Sequence, residues 1–284
     1  MKNLLIFFLL LGTNLQAQVK QNALLYKVEK KGKKISYLLG TMHLMDYDVF
    51  KLQKKLVNTM LSAEVLCMEI ADVSGAGMTP DLIKLKNGSI RNYFNTAQLD
   101  SLLNWAEKSM GLTKDLFLDS FEDSKPFLLM QLMLQASLPE RTKSYEKEFE
   151  YIAKQNKKPV EGLETVQEQI SIFDKMSPKM QTEMVMHTLR NYPKAKEQFE
   201  KMQSIYLTQN LEELYKFVKS DSKDPLMDSR AFLEDRNQKW IPKMESLMES
   251  KSVFFAVGAA HLAGDEGVIR LLEKQGYKLT PIKF

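Results

Sequence analysis

Two distant segments of this chain read almost alike: ISYLLGTMHL, which contains Gly40 and His43, and VFFAVGAAHL, which contains Gly258 and His261. Each is an apolar run closed by Gly-x-x-His-Leu, and together they hold two of the three histidines in the chain. An apolar run of this length closed by glycine reads as a buried strand, the glycine permitting a sharp exit from its end. Each histidine then stands just past a strand's C-terminal end. In open α/β sheets ligands collect in the crevice outside those ends, so two equivalent imidazoles there point to one shared site.

The rest of the sequence supplies strands and helices to build such a sheet. ALLYKVEKKGKKISYLLG reads as a hairpin turned at Gly32, within the Lys30 to Lys34 run. A helix is predicted from Asp48 through VFKLQKKLVNTML, with Val49, Leu52, Leu56 and Met60 on one face, and the strand AEVLCMEI follows. After the small-residue loop ADVSGAGMTPD, a helical pattern runs from Thr96 to about Asn156; Met130, Met133 and Leu134 share one face of it and read as core or the wall of a groove. A short strand in KKPVEGLE leads into TVQE, a capping box with Thr165 as cap and Glu168 three residues on. A long helical stretch is predicted from Ser177 to about Glu249, then the strand KSVFFAVG, a helix carrying Val268, Leu271, Leu272 and Gln275, and a last strand in YKLTPIKF. Strands at both ends with helices between them predict an α/β fold: a mixed sheet built from both chain halves, with a large central helical region.

Composition limits the setting. The start, MKNLLIFFLLLGTNLQAQ, has one lysine, an apolar stretch from Leu4 to Leu11 and small or polar residues near Ala17, the pattern of a secretory signal peptide over residues 1–17. Leu15 departs from the small residue preferred before the cut. The apolar stretch is shorter than the roughly 20 residues a spanning helix needs, and no later one is longer. The expectation is export to a periplasmic or secreted location, with residues 18–284 forming a single domain without a transmembrane segment. The one cysteine, Cys67, lies in an apolar run, so no internal disulfide is possible and the thiol reads as buried. A formal charge of +4, carried by scattered lysines, gives nucleic-acid binding no support.

Four predicted strands end in a group that can bind a metal or move a proton: His43, Glu69, Glu164 and His261. Two neutral imidazoles and one or two carboxylates make a reasonable divalent-metal site with room for a water. Without metal, one histidine could act as general base with a carboxylate to orient it. Glu161 alternates with apolar neighbours and reads as solvated, and His187, in QTEMVMHTLRNY, reads as an ordinary helix residue.

GTMHL, GLETVQEQ, the dipeptide Arg236-Asn237 and VGAAHLAGDEGVIRLLEKQGY occur in an order that resembles the TraB/GumN family, related to the Tiki metalloproteases and the pheromone-shutdown proteins. The resemblance spans nearly all of the chain after the signal segment. It implies an α/β fold shared with erythromycin-esterase-like hydrolases and haem-binding ChaN-like proteins, and, for the Tiki branch, metal-dependent peptide hydrolysis. Carried over by position, His43 and His261 are the paired motif histidines, with Glu69 as a further metal ligand. Glu69, Glu164 and Arg236 are the residues expected to work on the substrate, Arg236 by gripping a carboxylate or carbonyl or by pairing internally with Glu69 or Glu164. The chain departs from the family pattern at KSYEKEF, where a glycine and an aspartate are expected. The resulting expectation is an exported metal-dependent hydrolase, peptidase-like, using a divalent cation (Mn, Zn or Co) on a peptide or small-molecule substrate. A non-catalytic haem- or peptide-binding protein and a metal-free His/Glu hydrolase are the alternatives.

Overall fold

The computed structural model describes residues 22–75, 77–220 and 230–284; the expected signal segment over residues 1–17 lies outside them. Six strands form one sheet in the order β6-β4-β7-β2-β1-β8. These are β1 Leu25–Glu29, β2 Ser36–Thr41, β4 Val65–Met68, β6 Val160–Gly162, β7 Val253–Gly258 and β8 Lys278–Ile282. The hairpin β1–β2 is antiparallel, as the turn at Gly32 (φ +80°) requires, and β8 pairs antiparallel to β1. The four strands β6, β4, β7 and β2 run parallel. Their C-terminal ends therefore lie along one edge of the sheet, and both chain halves contribute.

β7 and β4 are buried at every position, as strands covered on both faces should be. The cover comes from amphipathic helices: Lys54–Ser62, Tyr145–Gln155, Glu234–Met248 and Val268–Lys274 place Leu56, Met60, Phe149, Trp240, Met244 and Leu272 in the same core as the strands. Cys67 is part of that core, and burial pushes its thiol up to about 12, so it is an apolar filler there. A second core lies among the central helices and holds Leu102, Trp105, Phe117, Met133 and Val185. The helix Pro178–Leu207 joins the two, with Val185 in the second core and Phe199 and Tyr206 in the first.

Several predicted boundaries shift, each for a local reason. The first helix begins at Lys54 rather than Asp48, because the Asp46 side chain accepts the N–H of Asp48 at 2.8 Å and its carbonyl takes those of Val49 and Phe50. That is a turn closed by aspartate, which competes with helix initiation. Among the described residues the stretch from Ser177 to Glu249 contains the helices Pro178–Leu207, Leu211–Val218 and Glu234–Met248; the first break falls at Gln209 (φ +55°), after which the Asn210 side chain caps the next helix. Met130 and Met133 are buried as expected, whereas Leu134 is 41 % exposed. The sequence reading also missed a two-stranded pairing of β3 (Met45–Asp46) with β5 (Thr142–Lys143).

Candidate active site

The parallel register brings the four strand ends together. Thr41 of β2 pairs with Gly258 of β7, so His43 and the 3-10 turn Ala259–His261 leave the sheet side by side. On the other flank of β7, the ladder between β4 and β6 continues past both strands, with Leu163 N–H on Met68 O at 2.8 Å and Glu164 N–H on Glu69 O at 2.9 Å. Glu69 and Glu164 are thus fixed as neighbours by backbone hydrogen bonds.

The motif glycines act through space rather than backbone freedom. Gly258 has φ −52°, a value open to any residue. A Cβ on it would lie 3.0 Å from His43 Nε2 and 3.2 Å from Glu69 Oε1, while its N–H donates to Glu69 Oε1 at 2.8 Å. A Cβ on Gly40 would meet Leu262 and Ala259 at 2.9–3.0 Å. Each glycine therefore makes room for residues brought in by the other copy of the motif. Gly258→Ala is expected to keep the fold but push His43 and Glu69 apart, lowering turnover by about 10²-fold, the order of loss that a misplacement of about 1 Å produces. Steady-state kinetics alongside a thermal melt will separate this from unfolding.

Arg236, from the first turn of Glu234–Met248, is the central cation. Its Nε donates to Glu164 Oε1 at 3.0 Å, Nη2 reaches both Glu69 and Glu164, and Nη1 lies 3.1 Å from Nε2 of His261. Its side chain is 13 % exposed, against 9 % for Glu69 and 10 % for Glu164. Of the two readings the sequence left open for Arg236, the internal pairing is the one seen, and it is made to both acids. Gln169, from the capped helix Val166–Asp174, bridges the carboxylates through Nε2, at 2.8 Å from Glu164 and 3.3 Å from Glu69. The predicted capping box is present, Thr165 and Glu168 exchanging hydrogen bonds.

The two histidines are alike in sequence and unlike in setting. Asn237 donates its amide to the carbonyls of His261 and Glu266, so its oxygen faces His261 Nδ1, 2.7 Å away. Nδ1 must then carry the proton, leaving the Nε2 lone pair to accept from Arg236. Burial, together with the Arg236 charge and despite Glu69, lowers the pKa of His261 to about 3, so the ring is neutral. Trp240 packs against it at 4.4 Å between centroids. His43 instead has a side chain 61 % exposed, with Nδ1 2.9 Å from Oε1 of Glu146. Loss of hydration beside the site is the largest single influence and acts against its charge, but Glu146, through charge and hydrogen bond, and Glu69 together outweigh it and hold its pKa up at about 9 in spite of Arg236. Burial would raise the carboxyls of Glu69 and Glu146; nearby cationic groups and hydrogen bonds outweigh it, keeping both below the ordinary carboxylate range.

A raised histidine pKa has a defined effect on stability. The folded state binds the His43 proton more tightly than the unfolded chain does. The resulting stabilisation is complete below about 6.5 and is lost as pH rises through about 9. In chelator-treated protein, the denaturation midpoint is expected to fall across that window for wild type and to fall less for His43→Ala. Parallel curves for the two proteins would show that His43 does not gain a proton on folding.

Nε2 of His43 and Nε2 of His261 lie 3.7 and 3.9 Å from one oxygen, Glu69 Oε1. Ligands about 2.1 Å from a tetrahedral ion stand roughly 3.4 Å apart. The donors are right in kind but open in spacing, and Arg236 Nη1 occupies the Nε2 lone pair of His261. As they stand, no group of three or more His, Cys, Asp or Glu among the described residues forms a metal centre. The sequence reading missed Glu146, Gln169 and the role of Asn237, although it quoted Asn237 beside Arg236. Glu161 is exposed, and His187 sits half-buried in its helix against Asn191.

A profile of the TraB/PrgY/gumN family matches residues 24–281. Two proteins named YbaP and described as uncharacterised, from Shigella flexneri and Escherichia coli K12, are each 24 % identical over 246 residues, covering 85 % of this chain and 89 % of theirs. No solved structure matches the chain.

Proposed function

The chain belongs to the TraB/PrgY/gumN family, and from that membership and the site geometry we propose that it is an exported, metal-dependent hydrolase acting on peptides. One observation carries the proposal: both motif imidazoles hold Nδ1 on a partner and bring Nε2 to the same Glu69 oxygen. Histidines that bind metals are typically oriented in this way, through a hydrogen bond on the other ring nitrogen. Charge balance supports it as well. Glu69, Glu146 and Glu164, all about nine-tenths buried, face one buried guanidinium and the His43 proton, and a dication taking the place of that proton would offset the negative charge left over.

His43, His261 and Glu69 would hold the ion, Mn, Zn or Co, once Arg236 Nη1 turns away from His261; its Nε and Nη2 can stay on Glu164. A divalent ion supplies Lewis acidity toward a scissile carbonyl. The chain's own groups do the rest. Glu164, held by Arg236 and Gln169, is the carboxylate left to take a proton from water or hand one to the leaving group. Arg236 fixes both acids in place. Substrate enters from the His43 side, because that ring is exposed while the other site groups are buried.

Export rests on the N-terminal composition. Among the described residues, no helix is long and apolar enough to cross a membrane. The test uses protein recovered from the periplasm or medium and incubated with a peptide mixture. Cleavage that stops on chelation and returns with Mn, Zn or Co supports the reading. Cleavage that survives exhaustive chelation would place the chemistry on His43 and the carboxylates alone, and a visible band on haem titration would favour the binding-protein alternative.

A further inference from the structure

We propose that Glu146 is the positioning residue for His43, deciding which ring nitrogen that histidine presents to the site; as a deeper account of the same site, this rests on the metal reading given above. The argument starts from the asymmetry of the two motif histidines. His261 is walled in by Trp240 and held by Asn237, so packing fixes its ring. His43, with 61 % of its side chain exposed, has no such wall. Its orientation depends on the bond from Nδ1 to Glu146 Oε1 at 2.9 Å.

Glu146 is well built for that task. It is 6 % exposed, and its oxygens accept from Thr41 Oγ1 at 2.5 Å and Ser144 Oγ at 2.8 Å, so the carboxylate cannot swing. Thr41 ends β2, two residues before His43, and Ser144 caps the helix Tyr145–Gln155 that carries Glu146. That helix is anchored from below, where Tyr145 packs on Phe50 and Tyr206, and Phe149 packs on Phe254 of β7. The pairing of β3 with β5 ties the chain just after His43 to the chain just before Ser144. Both partners of the His43–Glu146 bond are therefore fixed on each side of it. With its proton on Nδ1 and engaged, His43 has only Nε2 to offer Glu69 or an ion. A carboxylate on Nδ1 also makes Nε2 of His43 the stronger electron-pair donor of the two motif imidazoles, because His261 has only a neutral amide behind it.

The experiment compares wild type with Glu146→Gln, which keeps the shape, and Glu146→Asp, which keeps the charge, each first shown to melt as wild type does. In chelated protein, proton NMR should show the His43 Nδ1–H as a far-downfield, exchange-protected resonance that Glu146→Gln loses and Glu146→Asp partly restores. Cobalt(II) then serves as the probe of the site: Glu146→Gln should bind it 10–100-fold more weakly, with a shifted visible band. A Nδ1–H resonance unchanged in Glu146→Gln overturns the proposal whatever the metal does. Should wild type bind no cobalt while the resonance still depends on Glu146, the positioning role stands and the metal reading falls.

Discussion

Arg236→Met is expected to destabilise the protein by about 3–5 kcal/mol, because it strips two buried carboxylates of their cation at once. Glu69 and Glu164 are each about nine-tenths buried, and Arg236 reaches both through the same fork. Methionine can replace the aliphatic stem but none of the donors, nor the guanidinium carbon that lies 4.8 Å from the Trp240 ring centroid. Gln169 remains as a neutral bridge and cannot offset two charges. Adding Glu69→Gln and Glu164→Gln to Arg236→Met should recover much of the loss, since the cost comes from uncompensated charge rather than from missing volume. Denaturant titrations of the three proteins measure this directly. A loss below about 0.5 kcal/mol for Arg236→Met, the range of ordinary surface changes, would mean that the two acids are hydrated and do not share the guanidinium.

The second large effect concerns turnover. His43→Ala and His261→Ala are each expected to lower it by roughly 10³-fold or more, and the double variant should be little worse than either single one. Groups that act as one unit fail together, so their losses do not add. The two histidines lie in segments at opposite ends of the chain, and only a common site makes their effects non-additive. The folds should survive unequally. His43 is exposed and its removal vacates little core, while His261 is 5 % exposed and packs on Trp240, so its removal leaves a cavity and frees Asn237 Oδ1. Additive losses in the pair would separate the two motifs into independent roles.

The positions of His43, His261, Glu69 and Glu164 were legible because a parallel sheet converts a one-dimensional pattern into a place. An apolar run marks the strand, its end marks the edge, and parallel neighbours share that edge. The register itself, Thr41 beside Gly258 and Glu164 beside Glu69, was not written in any run of residues. Nor was the reason for the motif glycines. The sequence favoured a turn, whereas the glycine conformations are ordinary and the space is needed by the other motif's residues.

The missed residues share a physical character. Glu146 is one of three acids within five positions of the helix Tyr145–Gln155, and nothing local separates it from the exposed charges of a helix surface. Its buried carboxylate meets Thr41 at the end of β2, a contact that sequence periodicity does not encode. Glu146 lies in KSYEKEF and holds its carboxylate on His43. Gln169 and Asn237 are amides whose roles come from what stands opposite them in space. The β3–β5 pairing was missed because two-residue strands carry no period.

The central claim is that the two Gly-x-x-His motifs and Glu69 enclose one divalent ion. The most direct measurement is an anomalous difference map from crystals soaked in manganese, with binding stoichiometry taken in parallel from solution. The account predicts a single peak within bonding distance of His43 Nε2, His261 Nε2 and Glu69 Oε1, with Arg236 turned off His261 and still on Glu164. A map with no peak there at saturating manganese, and Arg236 still hydrogen-bonded to His261, would contradict it.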